Sequence, residues 1–170
     1  MASDEIAEPR PFVSFADLMA KVGYFMFYWS TLEQALTEGI SAAKATAGQE
    51  VGRVCGTFAE RLESWSAIVT RLPQNADKAD LIAQIRKQAL SLRTVRNTIV
   101  HGLMSGDSIP SDTTAYVLCS VGGYDNPTGE TVSYSIDDLE HLAQATDACR
   151  RAFVHVDAFN YRLHARFQLR

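Results

Sequence analysis

Signals that mark several common classes of protein are scarce or missing in this chain of 170 residues. Its three cysteines are odd in number and include no C-x-x-C pair, which argues against a zinc knuckle or a redox pair. No apolar run approaches the ~18 residues that a membrane span requires. The acidic N-terminus lacks the basic start and apolar core of a signal peptide. We therefore expect a cytoplasmic protein with three reduced thiols.

An excess of positive charge is also missing. The net charge of -4 argues against a protein that coats nucleic acid without specificity. Basic residues are nevertheless concentrated in two segments, 81–102 and 150–170, and most of them are arginines, whose planar fork suits phosphate better than lysine does. A solvated helix face, or a genome rich in GC, would produce the same bias.

Apolar residues recur every three or four positions in four segments, which predicts four amphipathic helices. The predicted helices lie near 15–46, 50–72, 78–102 and 136–168. Ser14 and Ser135 each precede an aspartate by three residues, as N-caps do. The pattern predicts an all-α fold, an antiparallel up-down four-helix bundle, forming one domain over residues 14–170 after a flexible arm of residues 1–13.

One stretch between the third and fourth predicted helices has a different period. Residues 115–121 alternate as a strand does, residues 122–127 are rich in turn formers, and residues 131–134 suit a returning strand. We therefore predict a small β-hairpin near 114–135, inserted into the helical bundle.

Several polar side chains lie close together at the end of the third predicted helix. Arg96 lies on the apolar face of this helix, where a guanidinium needs a partner or a cleft. Asn97 and His101 are four residues apart and share the neighbouring face, and Arg93 precedes Asn97 by four. Two structural alternatives remain open: Arg96 pairs with a carboxylate such as Glu33, and His101 caps the helix C-terminus.

The segment Arg96-Asn97-Thr98-Ile99-Val100-His101 resembles the hallmark motif of the HEPN superfamily. That motif is an arginine, a polar residue that is typically asparagine, three more residues and a histidine, and it closes the third helix of a four-helix bundle. The motif itself covers six residues, and the similarity in the arrangement of helices covers about residues 14–168. Toxins resembling HepT carry a tyrosine two residues after the histidine. Here Leu103 stands at that position, which implies that regulation by adenylylation of that tyrosine is absent.

The resemblance implies a metal-independent endoribonuclease that needs no cofactor. Many HEPN proteins act as symmetric dimers in which two motifs face one cleft. His101 would move protons near neutral pH, Arg96 would stabilise the phosphorane charge, and Asn97 would orient His101 or a phosphate oxygen. The substrate would be RNA and not DNA, because the 2′-hydroxyl is the nucleophile.

Further expectations concern the surroundings of the motif. Arg93, Arg86 and Lys87 are candidate contacts to the RNA backbone. Glu33 borders the core face of the first helix and needs a cation, so we predict that Arg93 or Arg96 lies within salt-bridge reach of it.

The small number of residues in the predicted site and the large apolar side chains of the first helix both favour a homodimer. A site built from one arginine and one histidine would be doubled by a two-fold axis, which predicts a C2 homodimer with RNA as substrate or ligand. The apolar run at residues 25–29 supplies surface for it. A toxin would also have an antitoxin partner. The alternative hypothesis is a catalytically silent HEPN-like module that serves dimerisation or binds nucleotides or RNA.

Overall fold

The protein is mostly helical in a computed structural model that describes residues 14–102, 116–120 and 130–168. The all-α class is thereby confirmed, whereas the predicted arm at residues 1–13 lies outside the described residues. Helices and strands follow in the order α1 (Phe15–Thr46), α2 (Phe58–Arg71), α3 (Ala79–Gly102), β1 (Tyr116–Ser120), β2 (Thr131–Ser135) and α4 (Ile136–Gln168). A single 3₁₀ turn at Pro73–Asn75 joins α2 to α3.

Local side-chain caps start the two long helices where the sequence predicts them. The Ser14 hydroxyl accepts a hydrogen bond from the Asp17 N–H at 3.1 Å, and the Ser135 hydroxyl accepts one from the Asp138 N–H at 3.1 Å. The Asp138 carboxylate accepts hydrogen bonds from the Ser135 hydroxyl and from the Ser135 N–H in return, and these lower the pKa of Asp138. These caps satisfy N–H groups that the helix itself leaves unpaired.

The second helix begins at Phe58 and not at residue 50, so the predicted start is wrong. The helix is started by a capping box, in which Thr57 accepts the Glu60 N–H and Glu60 accepts the Thr57 N–H. Gly56 precedes this box with a φ of 105°, which favours glycine. Val51, which the predicted helix 50–72 includes, is exposed in the irregular segment before α2.

The directions of α1 and α2 differ from the predicted up-down order. Trp29, in the middle of α1, stacks on Phe58 at the start of α2, with ring centroids 4.7 Å apart. Thr46, at the end of α1, lines one surface pocket together with Leu72, just after the end of α2. The two helices therefore run parallel, and residues 47–57 return beside α1.

Residues 47–57 are long enough to bring the chain from the end of α1 back to the middle of α1, where α2 begins. Gly48 follows the end of α1 with a φ of 68°, and residues 49–57 form neither helix nor strand before α2. Eleven extended residues span up to about 36 Å, whereas the 17 residues from Trp29 to Thr46 rise about 26 Å along the helix. An extended segment therefore reaches the level of Trp29 from the end of α1.

The fourth helix also runs parallel to α1, and α3 runs against the other three helices. Lys21 and Glu140, near the starts of α1 and α4, form an ion pair at 2.8 Å. On the opposed helices, the carbonyl of Ile85 accepts from the Cys149 thiol at 4.0 Å, whereas Ile99 packs with Leu139. Early residues of α3 thus meet the middle of α4, and late residues of α3 meet its start.

Two clusters of buried side chains hold the helices together. The larger one includes all four helices, with the rings of Trp65 and Phe153 centred 4.4 Å apart. The smaller one joins the first half of α1, the end of α3 and the start of α4, and includes Cys119 of β1. Strands β1 and β2 pair antiparallel, with Cys119 opposite Val132.

The three thiols differ in accessibility, which gives a first prediction. Cys55 is exposed, whereas burial raises the pKa of the Cys119 thiol to about 11 and that of the Cys149 thiol to about 12. Since the thiolate is the reactive form, a disulfide reagent at pH 8 should label one thiol per native chain quickly. The other two should react only on unfolding in guanidinium.

The Cys55→Ser variant is the control for this experiment. It should lose the fast reaction and keep both slow ones. Fast labelling of two or three thiols in the native wild-type chain would contradict the buried positions of Cys119 and Cys149.

Candidate functional site at the end of α3

The motif occupies the last two turns of α3. Arg96 and Asn97 are half-buried, and His101 is exposed. Since successive residues turn by about 100° around a helix, Arg96 and His101 point about 140° apart, with Asn97 between them. The structure therefore places the arginine towards the bundle and the histidine towards the surface.

The Arg96 guanidinium has only one polar partner among the described residues. Its Nη1 donates to Asn97 Oδ1 at 3.1 Å, and its Nε is buried without a hydrogen-bond acceptor. No acidic side chain in the described part of the chain pairs with Arg96 or with Arg93. A buried N–H of this kind favours an incoming oxygen acceptor, and a charged oxygen most of all.

Glu33 does not pair with Arg93 or Arg96, and this prediction is wrong. Arg61 of α2 lies 3.3 Å from Glu33 through Nη2 and donates to the Thr37 hydroxyl at 2.9 Å through Nη1. The parallel packing of α2 on α1 brings Arg61 to this place. Glu33 therefore supports the α1–α2 interface and leaves Arg96 without a carboxylate from α1.

Arg61 is a polar residue of this region that the sequence analysis did not identify. It lies three residues after the buried Phe58 and four before the buried Trp65, which places it beside the core stripe of α2. The argument that singled out Arg96, a guanidinium near an apolar stripe, applies equally to Arg61. The sequence therefore contained the information needed to identify Arg61, but using it required the correct start of α2.

The two basic residues predicted earlier on α3 are not close to the motif. Arg86 donates to Glu63 Oε2 of α2 at 2.7 Å, so its charge is already paired. Lys87 is exposed. Arg86 precedes Arg96 by ten residues, which corresponds to about 15 Å along the helix. The structure therefore brings together Arg96 and Asn97, and it separates Arg86 and Lys87 from them.

A groove between the first halves of α1 and α4 is a second concave feature. It encloses about 430 Å³ and is walled by Tyr24 and Tyr28 of α1. The Lys21–Glu140 ion pair lies at one end. The hydrogen bond from Lys21 lowers the pKa of Glu140 and raises that of Lys21. The sequence analysis assigned Tyr28, as part of the apolar run 25–29, to a dimer surface, assigned no role to Tyr24 and did not predict a groove.

The described residues contain neither a metal-binding cluster nor a membrane-spanning helix. Residues 14–102, 116–120 and 130–168 contain no group of three or more histidine, cysteine or acidic side chains that could hold a metal ion. Within the same part of the chain, no helix combines the length and the hydrophobicity needed to cross a membrane.

The Arg61–Glu33 contact gives a prediction about stability. Arg61→Ala should lower the free energy of unfolding by about 1–2 kcal/mol, because it leaves Glu33 and Thr37 partly buried without their donor. The matched control is Arg86→Ala, which removes an exposed interhelical pair and should cost less than about 1 kcal/mol. Urea unfolding measures both. Equal losses in the two variants would contradict the difference in burial.

Comparisons with known proteins add no relative. Protein-family models, curated proteins and solved structures were compared with the chain, and none of them matches it. The resemblance to HEPN proteins therefore depends on the six-residue motif and on its position at the end of the third helix.

Proposed function

We propose that this protein is a metal-independent endoribonuclease of HEPN type, with Arg96, Asn97 and His101 as its catalytic residues. The observation that carries the proposal is the Arg96 guanidinium, which is half-buried at the end of α3 with its Nε unpartnered among the described residues. A fixed cation without a carboxylate partner is what a phosphodiester in a metal-free site requires.

In this proposal, the reaction uses the 2′-hydroxyl of the substrate. His101 accepts the 2′-hydroxyl proton while the bond between the 2′-oxygen and phosphorus forms. Arg96 stabilises the negative charge on the phosphorane, and Asn97, which accepts a hydrogen bond from Arg96, keeps the guanidinium in place. The bond from phosphorus to the 5′-oxygen then breaks, that oxygen takes up a proton from water, and His101 returns its proton to the solvent. The products carry a cyclic phosphate and a 5′-hydroxyl.

The position of the motif in the fold supports an HEPN-like bundle, whereas the direction of α2 does not. The motif lies at the end of the third of four helices, and a paired β-ribbon separates α3 from α4. The parallel course of α1 and α2 departs from the up-down order that the resemblance implies. The proposal includes a cytoplasmic location and a homodimer, with an antitoxin partner if the protein is a toxin.

The second candidate function is a catalytically silent module that binds RNA or nucleotides. The observation in its favour is the divergence of the two key side chains, since Arg96 lies towards the bundle and His101 is exposed. No hydrogen bond or ion pair joins them. In this module, Arg96 holds a phosphate and His101 contributes no chemistry.

Cleavage of single-stranded RNA in the presence of EDTA tests the first candidate. The purified protein should produce fragments with cyclic phosphate ends. His101→Ala should slow cleavage about 10²–10⁴-fold by removing the proton carrier. Arg96→Ala should lower the rate about 10²–10³-fold by removing the charge that stabilises the phosphorane.

Matched controls separate chemistry from contamination and from unfolding. His155→Ala and Arg71→Ala replace exposed residues of the same types outside the motif and should cleave at the wild-type rate. Circular dichroism should show unchanged helix content in all four variants. If wild type and His101→Ala degrade RNA equally slowly, the endoribonuclease proposal fails. The silent module would then be favoured by RNA binding that Arg96→Ala weakens.

The basic residues earlier on α3 give a separate prediction about binding. Lys87→Ala should reduce the slope of log affinity for RNA against log salt by about 0.7, the value for one phosphate contact on a single strand. Arg86→Ala should have a smaller effect, because Glu63 already pairs with Arg86. Titrations at several salt concentrations measure both slopes. A larger effect of Arg86→Ala would contradict this order.

A further inference from the structure

The end of α3 extends beyond the start of α2. The ion pair between Arg86 and Glu63 places these two residues at the same level of the antiparallel helices. From Glu63, only five residues, or about 7 Å, remain before α2 begins at Phe58. On α3, Arg93 lies seven residues and Arg96 ten residues beyond Arg86, which corresponds to about 10 and 15 Å. Both arginines therefore lie past the start of α2, where this helix does not cover α3.

Carboxylates are scarce around this part of α3. The helix itself has no acidic residue from position 81 to position 102. On α2, the Glu60 carboxylate is closest to the start of the helix, and it accepts from the Thr57 N–H at 2.7 Å and from the Thr57 hydroxyl at 3.0 Å. Two further carboxylates of α1 and α2 pair with other arginines. In the part of the chain that the structure describes, Arg93 and Arg96 therefore have no acidic partner.

Arg93 and Arg96 form a pair of cations on neighbouring faces of α3. They are three residues apart, which corresponds to about 60° around the helix and about 5 Å along it. Both side chains are half-buried, and like charges at such spacing destabilise a helix. The dipole of α3 does not offset this cost, since it favours cations only in the last turn and the two arginines lie nine and six residues before Gly102. The pair is therefore suited to a ligand with two negative charges.

The two arginines differ in their distance from His101. Arg96 precedes His101 by five residues, or about 7.5 Å along the helix, whereas Arg93 precedes it by eight, or about 12 Å. Arg96 is also held by Asn97 through Nη1, and Arg93 has no such partner among the described residues. In a strand that lies along α3, the phosphate at Arg96 is the one on which His101 can act, and Arg93 meets the next phosphate.

We propose that Arg93 binds the phosphate next to the scissile one, so that the substrate is an RNA strand with at least two successive phosphates. This inference rests on the proposed function, in which Arg96 binds the scissile phosphate. A guanidinium forms charge-assisted hydrogen bonds with phosphate oxygens, and these atoms are the same in every nucleotide. Arg93 therefore increases the affinity for the strand without selecting its sequence, and it touches none of the reacting atoms.

Short strands with one cleavable bond test this arrangement. They consist of 2′-O-methyl nucleotides with a single unmodified ribonucleotide, because only that nucleotide supplies a 2′-hydroxyl. The shortest strand is a dinucleotide with one phosphate, and two longer strands add a nucleotide and its phosphate on the 5′ or on the 3′ side. Wild type should cleave one of the longer strands with a kcat/KM at least about tenfold above that of the dinucleotide, the contribution of one charge-assisted hydrogen bond. Replacing the added phosphate by an uncharged methylphosphonate should remove this gain.

The Arg93→Ala variant should lose the gain, so that it cleaves the longer strand and the dinucleotide with nearly equal kcat/KM. Arg93→Lys, which keeps the charge but not the planar fork, should retain part of the gain. Arg71→Ala replaces an exposed arginine at the end of α2 and should retain all of it. Since each gain is a ratio measured within one variant, a change in stability does not affect it. A full gain in Arg93→Ala would overturn the proposal.

Binding supplies a second measurement that does not require cleavage. Strands made entirely of 2′-O-methyl nucleotides cannot react, and fluorescence anisotropy measures their dissociation constants. Wild type should bind the longer strand at least about tenfold more tightly than the dinucleotide, and Arg93→Ala should not. If this difference is found but no RNA is cleaved, the endoribonuclease proposal fails and the second phosphate site stands. If RNA is cleaved and neither ratio depends on Arg93, the second phosphate site fails and the endoribonuclease proposal stands.

Discussion

The extended return of residues 47–57 beside α1 determines how the rest of the molecule is arranged. Because the chain comes back before α2 begins, α2 lies parallel to α1 and covers its second half, where Trp29 stacks on Phe58. The first half of α1 is left to pack on α4, the end of α3 and the β-ribbon. The division of the core into two clusters follows from this single connection.

The same connection decides which charges meet. With α2 parallel to α1, Arg61 reaches Glu33 and Thr37 and satisfies the carboxylate that sequence alone would assign to α3. Arg96 therefore keeps a buried Nε without a partner among the described residues. A buried cation without a carboxylate costs stability unless an anion binds it, and our proposal that Arg96 binds a phosphate depends on this argument.

The first half of α1 has apolar side chains on both its inner and its outer side. Its inner side contributes Leu18, Val22 and Phe25 to the smaller core cluster. Its outer side presents Tyr24 and Phe27 to solvent. The motif at the end of α3 and the outer side of α1 are separate surfaces of one end of the bundle.

The sequence by itself determined the features that depend on neighbours along the chain. The bounds of α1 and α4 follow from the serine caps and the apolar period, and the place of Arg96 on the apolar stripe of α3 follows from spacing. Only the tertiary structure decided the direction of α2 and the partner of Glu33. Val51 and Val54 continue the apolar period of α2 ahead of the Thr57 cap, which concealed the true start of this helix. Helix direction depends on the path of the connection, which side-chain periodicity does not record.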